Sequence, residues 1–285
     1  MYRLLLLIPI LLSVLACAVL PTPPPPTPTM TPWPTPTPYP TITPHPTLWP
    51  SPAPLPPDTG WQLLQPGIEL RQIRVRFGEN PEQITIVRLD PSHVRFEVHY
   101  DPIHPRTVYA WAQDLNAQIV INGAYFTPEN KTVGLLVTDG RQWGASYGDF
   151  AGMFSVDASG SVSIRWLQER PYSPLEPLQH ALQSFPVLVK PGGVMGFPAD
   201  ADDGRPARRS VVAQDTRGHI LIIVAPDGTL SLHHTARFLA ESDLEINVAL
   251  NLDGGTSTGL WFSVGTTALR IDSLVPVPSI IVVSH

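Results

Sequence analysis

Asn247-Val248-Ala249-Leu250-Asn251-Leu252-Asp253-Gly254-Gly255-Thr256-Ser257-Thr258-Gly259 is the stretch on which the reading of this chain turns. An apolar run interrupted by single asparagines, short and halted by Gly-Gly, reads as a buried strand. Asp253 closes that strand, and alternation places Asn251 on the same face. Successive amides of Gly254, Gly255, Thr256 and Ser257 can curl into a concave nest of N–H donors, which attracts anions. A carboxylate next to such a nest is uncommon in a purely structural turn. The segment also matches G-x-S-x-G, but a nucleophile elbow needs a helix after the turn and a later triad histidine. Here Leu260–Val264 reads as another strand and the only later histidine is His285, so Ser257 is not read as a nucleophile.

Two further segments break the pattern. In Ile121-Asn122-Gly123-Ala124-Tyr125-Phe126 an apolar strand runs into Asn-Gly and two aromatics. The Asn-Gly step permits a tight turn with positive φ and leaves the Asn122 amide at a strand end, where Gly123 lets backbone approach a ligand. Taken alone, the segment also fits a plain turn followed by core aromatics. In Ala207-Arg208-Arg209-Ser210-Val211-Val212-Ala213 two arginines enter an apolar strand, and alternation sends them to opposite faces. At most one then enters a cleft while the other is solvated, and surface arginines at a strand entrance would look the same.

Around these segments, period-two alternation marks strands at Ile68–Phe77, Ile84–Leu89 and Val94–Tyr100. Thr107 offers an N-cap to a helical stretch over residues 108–117, which leads into a strand at Gln118–Ile121. Turn signals at Thr138-Asp139-Gly140-Arg141, Asp157-Ala158-Ser159-Gly160 and Thr216-Arg217-Gly218 predict hairpins. A second helix is expected near Glu176–Gln183 and a third near Thr235–Ser242, with runs at Leu260–Val264 and Ser279–Ser284 closing the sheet. Few helices and many strands give an α+β class with a mixed, largely antiparallel sheet in a single domain.

Composition bounds that domain. Of 35 prolines, 18 fall within residues 21–57, and there is no charged residue from Leu4 to Pro57. So proline-rich a segment cannot bury enough surface to offset its ordering entropy. It reads as a Pro/Thr-rich polyproline II stalk, which at about 3.1 Å per residue reaches roughly 115 Å when extended. Residues 58–285 hold 17 basic against 24 acidic residues, a formal charge of −7. That argues against nucleic acid as a partner, which asks for a basic face.

Residues 1–20 carry one cation, Arg3, then 17 mostly apolar residues, the layout of an export signal. Val14-Leu15-Ala16-Cys17 resembles a bacterial lipobox, with Cys17 the residue that would be lipidated. Ordinary cleavage near Ala16-Cys17-Ala18 and an uncleaved anchor are the alternatives. The expected location is the outer face of the cytoplasmic membrane or the cell surface, with the membrane as partner through the N-terminal lipid. Cys17 is the only cysteine, so the domain rests on its core without disulfides.

Asn122-Gly123-Ala124-Tyr125-Phe126, Gly134 to Gly140, Phe185-Pro186-Val187-Leu188, Arg209-Ser210-Val211-Val212-Ala213 and Ala249 to Ser257, in this order, resemble the motif series of the phosphodiester glycosidase family. The likeness covers roughly residues 120–285, the motif-bearing core, with residues 58–119 as lead-in strands and helix. Ala124, Phe185, Ala213 and Thr256 each stand where the family has glycine, and Phe185 and Thr256 are large enough to narrow a cleft. The resemblance implies a hydrolase that releases the sugar from a glycosyl-1-phosphodiester, of the N-acetylglucosamine-1-phosphodiester kind, in envelope or exopolysaccharide glycans. It implies Asp253, Arg209 and Asn122 as catalytic residues, with Gly254, Gly255, Thr256, Ser257, Asn251, Gly123 and Tyr125 binding the substrate and its phosphate. No cofactor is implied. No metal site is read: Asp200-Ala201-Asp202-Asp203-Gly204 resembles half a calcium loop, but Val211 stands where that loop needs Glu. A non-catalytic module that holds an anionic glycan would use the same arginine and amide donors, and only turnover separates the two.

Overall fold

The computed structural model describes residues 57–77, 80–148 and 150–285. The expected signal, Cys17 and nearly all of the stalk lie outside the described residues. The strands, in chain order, are β1 (Gln62–Gln65), β2 (Ile68–Arg76), β3 (Pro81–Leu89), β4 (Arg95–Tyr100), β5 (Ile119–Asn122), β6 (Leu136–Thr138), β7 (Arg141–Trp143), β8 (Gly152–Asp157) and β9 (Val162–Trp166). They continue with β10 (Leu178–Ser184), β11 (Val187–Lys190), β12 (Val194–Met195), β13 (Ala207–Asp215), β14 (Ile220–Leu230), β15 (Ile246–Asn251), β16 (Leu260–Val264), β17 (Thr267–Ile271) and β18 (Ser279–Ser284). Two α-helices accompany them, α1 (Val108–Asp114) and α2 (Leu232–Glu241).

These strands form three sheets. The first runs β1-β2-β3-β14-β13-β15-β11-β12, the second β7-β6-β10-β8-β9, and the third β17-β16-β5-β18-β4. Every ladder among the described residues is antiparallel, so the expected mixed sheet is corrected to three antiparallel ones. The three predicted hairpins are present as β6–β7, β8–β9 and β13–β14.

The main core lies where the sheets face one another. Val87, Val212, Ile222, Val248 and Leu250 of the first sheet meet Ile119, Ile121, Phe262 and Ile281 of the third, and Phe154 and Leu182 of the second. The opposite face of the first sheet, through Val211, Ala213, Leu221 and Ile223, is covered by Ala236, Phe238 and Leu239 of α2. Burial on both faces explains why β13, β14 and β15 read as continuous apolar runs rather than as alternation. A fully buried side chain such as Phe262 contributes about 1.5–3 kcal/mol. α1 packs Val108, Trp111 and Ala112 on the outer face of the third sheet, against Val120, Ile280 and Val282.

α1 begins on the expected cap, whereas α2, expected near Thr235–Ser242, starts three residues earlier because Ser231 caps it. The Thr107 hydroxyl accepts from the Ala110 N–H at 3.3 Å, and the Ser231 hydroxyl accepts from the His234 N–H at 3.2 Å. α1 stops at Asp114, earlier than expected, because Asn116 takes a left-handed conformation at φ 49°. The second expected helix, near Glu176–Gln183, is instead strand β10. Its residues favour a helix locally, but the segment is hydrogen-bonded by β8 on one side and β6 on the other, and Ala181 and Leu182 are fully buried between them. Tertiary pairing overrides propensity there.

Candidate active site

The three expected site segments end at one seam. Val211 of β13 pairs with Asn251 of β15 within the first sheet, and Asn122 of β5 pairs with Ile280 of β18 within the third. Beyond the end of β15, the Leu252 N–H reaches the Ser210 carbonyl at 2.8 Å and the Asp253 N–H reaches the Gly123 carbonyl at 3.1 Å.

Asn122 holds that seam together. It is fully buried. Its Oδ1 accepts from Ser210 Oγ at 2.7 Å and from the Gly259 N–H at 3.1 Å. Its Nδ2 donates to the Asp253 carbonyl at 2.7 Å and to the Gly123 carbonyl at 3.2 Å. Both donors and both lone pairs are thus used within the protein, and the side chain has nothing left to offer a substrate. Gly123 does not adopt positive φ. It is glycine because a Cβ would lie 2.9 Å from the Ser279 backbone carbon, where β18 passes close to β5.

Arg209 lies half-buried with two of its three nitrogens on backbone carbonyls: Nε on Leu230 at 3.0 Å and Nη2 on Arg205 at 2.9 Å. Nη1 points toward Gly254, 3.9 Å from where a Cβ on that glycine would sit. No carboxylate among the described residues forms a salt bridge with this guanidinium. Burial lowers its pKa, opposed by the nearby Tyr125, Asp202 and Asp203. A fixed, unpaired guanidinium is suited to an anion. Arg208 does turn the other way, as alternation requires, but it is half-buried rather than solvated, with Nη2 on the Asp272 carbonyl at 3.0 Å.

The Asp253 carboxyl is pushed up to about 6, first by burial, while the Ser257 hydroxyl and the Gly254 N–H pull the other way. The Tyr125 hydroxyl is pushed up to about 12, first by burial and then by the negative charge of Asp253; Arg209 and a hydrogen bond from Asn251 oppose the rise. Asn251 Nδ2 donates to that hydroxyl at 2.7 Å. Tyr125 therefore senses both Asp253 and Arg209, and remains a protonated donor at every physiological pH.

In the turn after β15, Gly254 and Gly255 are glycines for different reasons. A Cβ on Gly254 would stand 2.9 Å from the Arg208 carbonyl, whereas Gly255 sits at φ 61°. Gly255–Ser257 forms one 3-10 turn, in which the Ser257 N–H is spent on the Gly254 carbonyl at 3.2 Å. The Gly255 and Thr256 N–H groups have no acceptor among the described hydrogen bonds, so the expected nest narrows to these two donors. Thr256 is exposed, and its carbonyl accepts from Leu274 N–H at 2.8 Å.

Sequence reasoning missed Ser210, whose hydroxyl locks Asn122; its place beside Arg209, on the opposite face of β13, was the available signal. It singled out Phe185 as able to narrow a cleft, but not that Phe185 packs on Tyr125 or that two further rings join it. Phe185 stacks on Tyr125 at 4.6 Å between centroids and 29° between planes. Tyr147 and Phe150, far off in sequence, meet Phe185 at 5.2 and 5.6 Å.

A raised carboxyl, an unpaired guanidinium and a neutral phenol at one seam make a site suited to hydrolysis of a substrate that carries an anion. The family model for phosphodiester glycosidases matches residues 115–284; the chain belongs to that family and is a glycosidase acting on sugar phosphodiesters. Its fold is similar to that of the zebrafish N-acetylglucosamine-1-phosphodiester alpha-N-acetylglucosaminidase catalytic domain auto-inhibited by its pro-peptide. That likeness has a TM-score of 0.59 and 18% identity, over 76% of this chain and 82% of the other. A hypothetical protein from Synechocystis matches with a TM-score of 0.54 and 17% identity, over 77% of this chain and 62% of its own. A Burkholderia pseudomallei K96243 protein matches at 0.53 and 14%, over 72% and 74%. No curated protein matches the sequence.

Proposed function

We propose that the chain is an exported, lipid-anchored hydrolase that releases the sugar from a glycosyl-1-phosphodiester, of the N-acetylglucosamine-1-phosphodiester kind, in envelope or exopolysaccharide glycans. The observation that carries the chemistry is geometric: Arg209 Nη1 points at Gly254, the neighbour of Asp253, and Asn251, two residues before Asp253, holds the Tyr125 hydroxyl at 2.7 Å. Breaking the anomeric C–O bond sends its electron pair to the phosphate, which leaves as a monoester. The second pKa of that monoester is about 6, so it needs charge stabilisation more than a proton. Arg209 Nη1 and the Gly255 and Thr256 N–H groups meet that charge, and the Tyr125 hydroxyl donates to the substrate. Asp253, a carboxylate above about pH 6, either takes a proton from the attacking water or bonds to the anomeric carbon itself. Asn122 acts at one remove, by fixing Asp253 and Ser210.

The test uses N-acetylglucosamine 1-phosphate capped with a methyl group. Asp253→Asn and Arg209→Ala should each abolish release of reducing sugar while circular dichroism stays that of the parent. Full activity in Asp253→Asn would overturn the assignment.

Anchoring rests on the sequence: Cys17 lies near the end of the apolar run and a proline-rich stalk follows. A diacylglyceryl group brings two chains, enough for stable membrane binding. Cys17→Ala should move the protein from the membrane fraction to the soluble one and abolish incorporation of labelled fatty acid. Unchanged labelling would refute lipidation at this residue.

A further inference from the structure

We infer that Tyr125, Phe185, Tyr147 and Phe150 form a stacking subsite that takes the face of a sugar or base ring in the group beyond the phosphate. The inference rests on the proposed reaction and adds the class of its aglycone. Phe185 covers Tyr125 at 4.6 Å and 29°. Tyr147 meets Phe185 edge-on at 5.2 Å and 90°, and Phe150 closes the group at 5.6 Å from Phe185 and 5.5 Å from Tyr147. Two ring-to-ring steps thus lead from the phenol beside Asp253 and Arg209 to Phe150.

The cluster is fixed from behind. The Phe185 carbonyl accepts from Asn251 Nδ2 at 3.2 Å, which ties it to the strand that carries the site. The Tyr147 N–H donates to Oε1 of the buried Gln183 at 2.7 Å, and Gln183 Nε2 donates to Ser146 Oγ at 2.8 Å. Gly134 leaves room for the Tyr147 ring, which a Cβ there would meet at 3.0 Å. A wall held this firmly loses little freedom when a ligand docks.

Its outer member is left uncovered. Phe150 is 58% exposed although the other three rings are at least partly buried. An aromatic ring packed on two others that are hydrogen-bonded in place, and itself more than half exposed near an anion site, matches how proteins hold sugar and base rings. Removing one stacked aromatic typically weakens ring binding by about tenfold or more.

The test compares three diesters of one sugar 1-phosphate, capped with methyl, with a hexose, or with uridine through its 5′ oxygen. Full-length parent, Phe150→Ala and Phe150→Trp are assayed for kcat and KM on each. Phe150→Ala should lower the ratio of kcat/KM for a ring-capped over the methyl-capped diester about tenfold, chiefly through KM, and Phe150→Trp should keep it. The hexose and uridine arms show which ring is taken. An equal change on all three caps, or none on any, overturns the subsite. If the parent hydrolyses none of them, the enzymatic reading has failed, and the same comparison is made by calorimetric binding. There, cap-dependent weakening in Phe150→Ala upholds the subsite and cap-independent affinity refutes it.

Discussion

Replacing Asn122 by alanine should cost both stability and turnover. The side chain makes four hydrogen bonds in a fully buried position, to Ser210, Gly259, Asp253 and Gly123. Leaving a buried polar group unsatisfied costs about 1–3 kcal/mol. The Gly123 carbonyl keeps the Asp253 N–H, but the other three partners are abandoned; even at about 1 kcal/mol each the loss approaches ~3 kcal/mol, a large share of the 5–15 kcal/mol that typically holds a domain together. Urea unfolding followed by tryptophan fluorescence reads the loss as a lower midpoint at unchanged slope. The kinetic signature differs from that of a substrate contact. Asn122 has no free donor or acceptor, so kcat should fall, through the displaced Asp253, while KM for a methyl-capped diester changes little. An Asn122→Ala protein within about 1 kcal/mol of the parent, with the parent's kcat, would refute the clamp.

The remaining expectations concern charge and space. With Asp253 active as a carboxylate, kcat/KM should rise with pH through about 6 and level off above it; a flat profile between pH 5 and 8 would contradict this role. The folded-state pKa of Asp253 is raised, so the fold is favoured by the protonated form and loses stability as pH climbs from about 4 to 6. Asp253→Asn should therefore raise the melting temperature at pH 7.5, by a gain of ~1–3 kcal/mol, and much less at pH 4. Gly123→Ala should destabilise by about 1–3 kcal/mol, since its Cβ meets the Ser279 backbone at 2.9 Å; chemical denaturation reads it, and an unchanged midpoint would show that β5 and β18 can part without cost.

Much of the fold was legible because local patterns and tertiary pairing agree. The hairpins at Asp139-Gly140 and Gly218 sit on left-handed glycines, and the cap Thr107 starts the first helix. Residues 178–184 failed because nothing local reveals that β8 and β6 flank them. Asp253 and Arg209 stood out in sequence as charged residues at the ends of apolar strands, and the structure brings Arg209 Nη1 up to the Gly254 that follows Asp253. The work of Asn122 did not, because its partners Ser210, Asp253 and Gly259 come from elsewhere in the chain. The rings around Phe185 were invisible for the same reason, since their contacts join residues tens of positions apart.

The Asn122 clamp also sets when the site can exist. Its partners lie 88, 131 and 137 residues further along the chain. Loop closure on that scale precedes any reward from the contacts it brings. While the polypeptide is being synthesised, a nascent chain that has emerged only as far as β14 lacks the Asp253 loop and Gly259, and so has no reaction centre. The seam cannot close until the chain is available through Gly259, and a truncation that removes β15 and everything after it takes away the Asp253 and Gly259 partners of the clamp altogether.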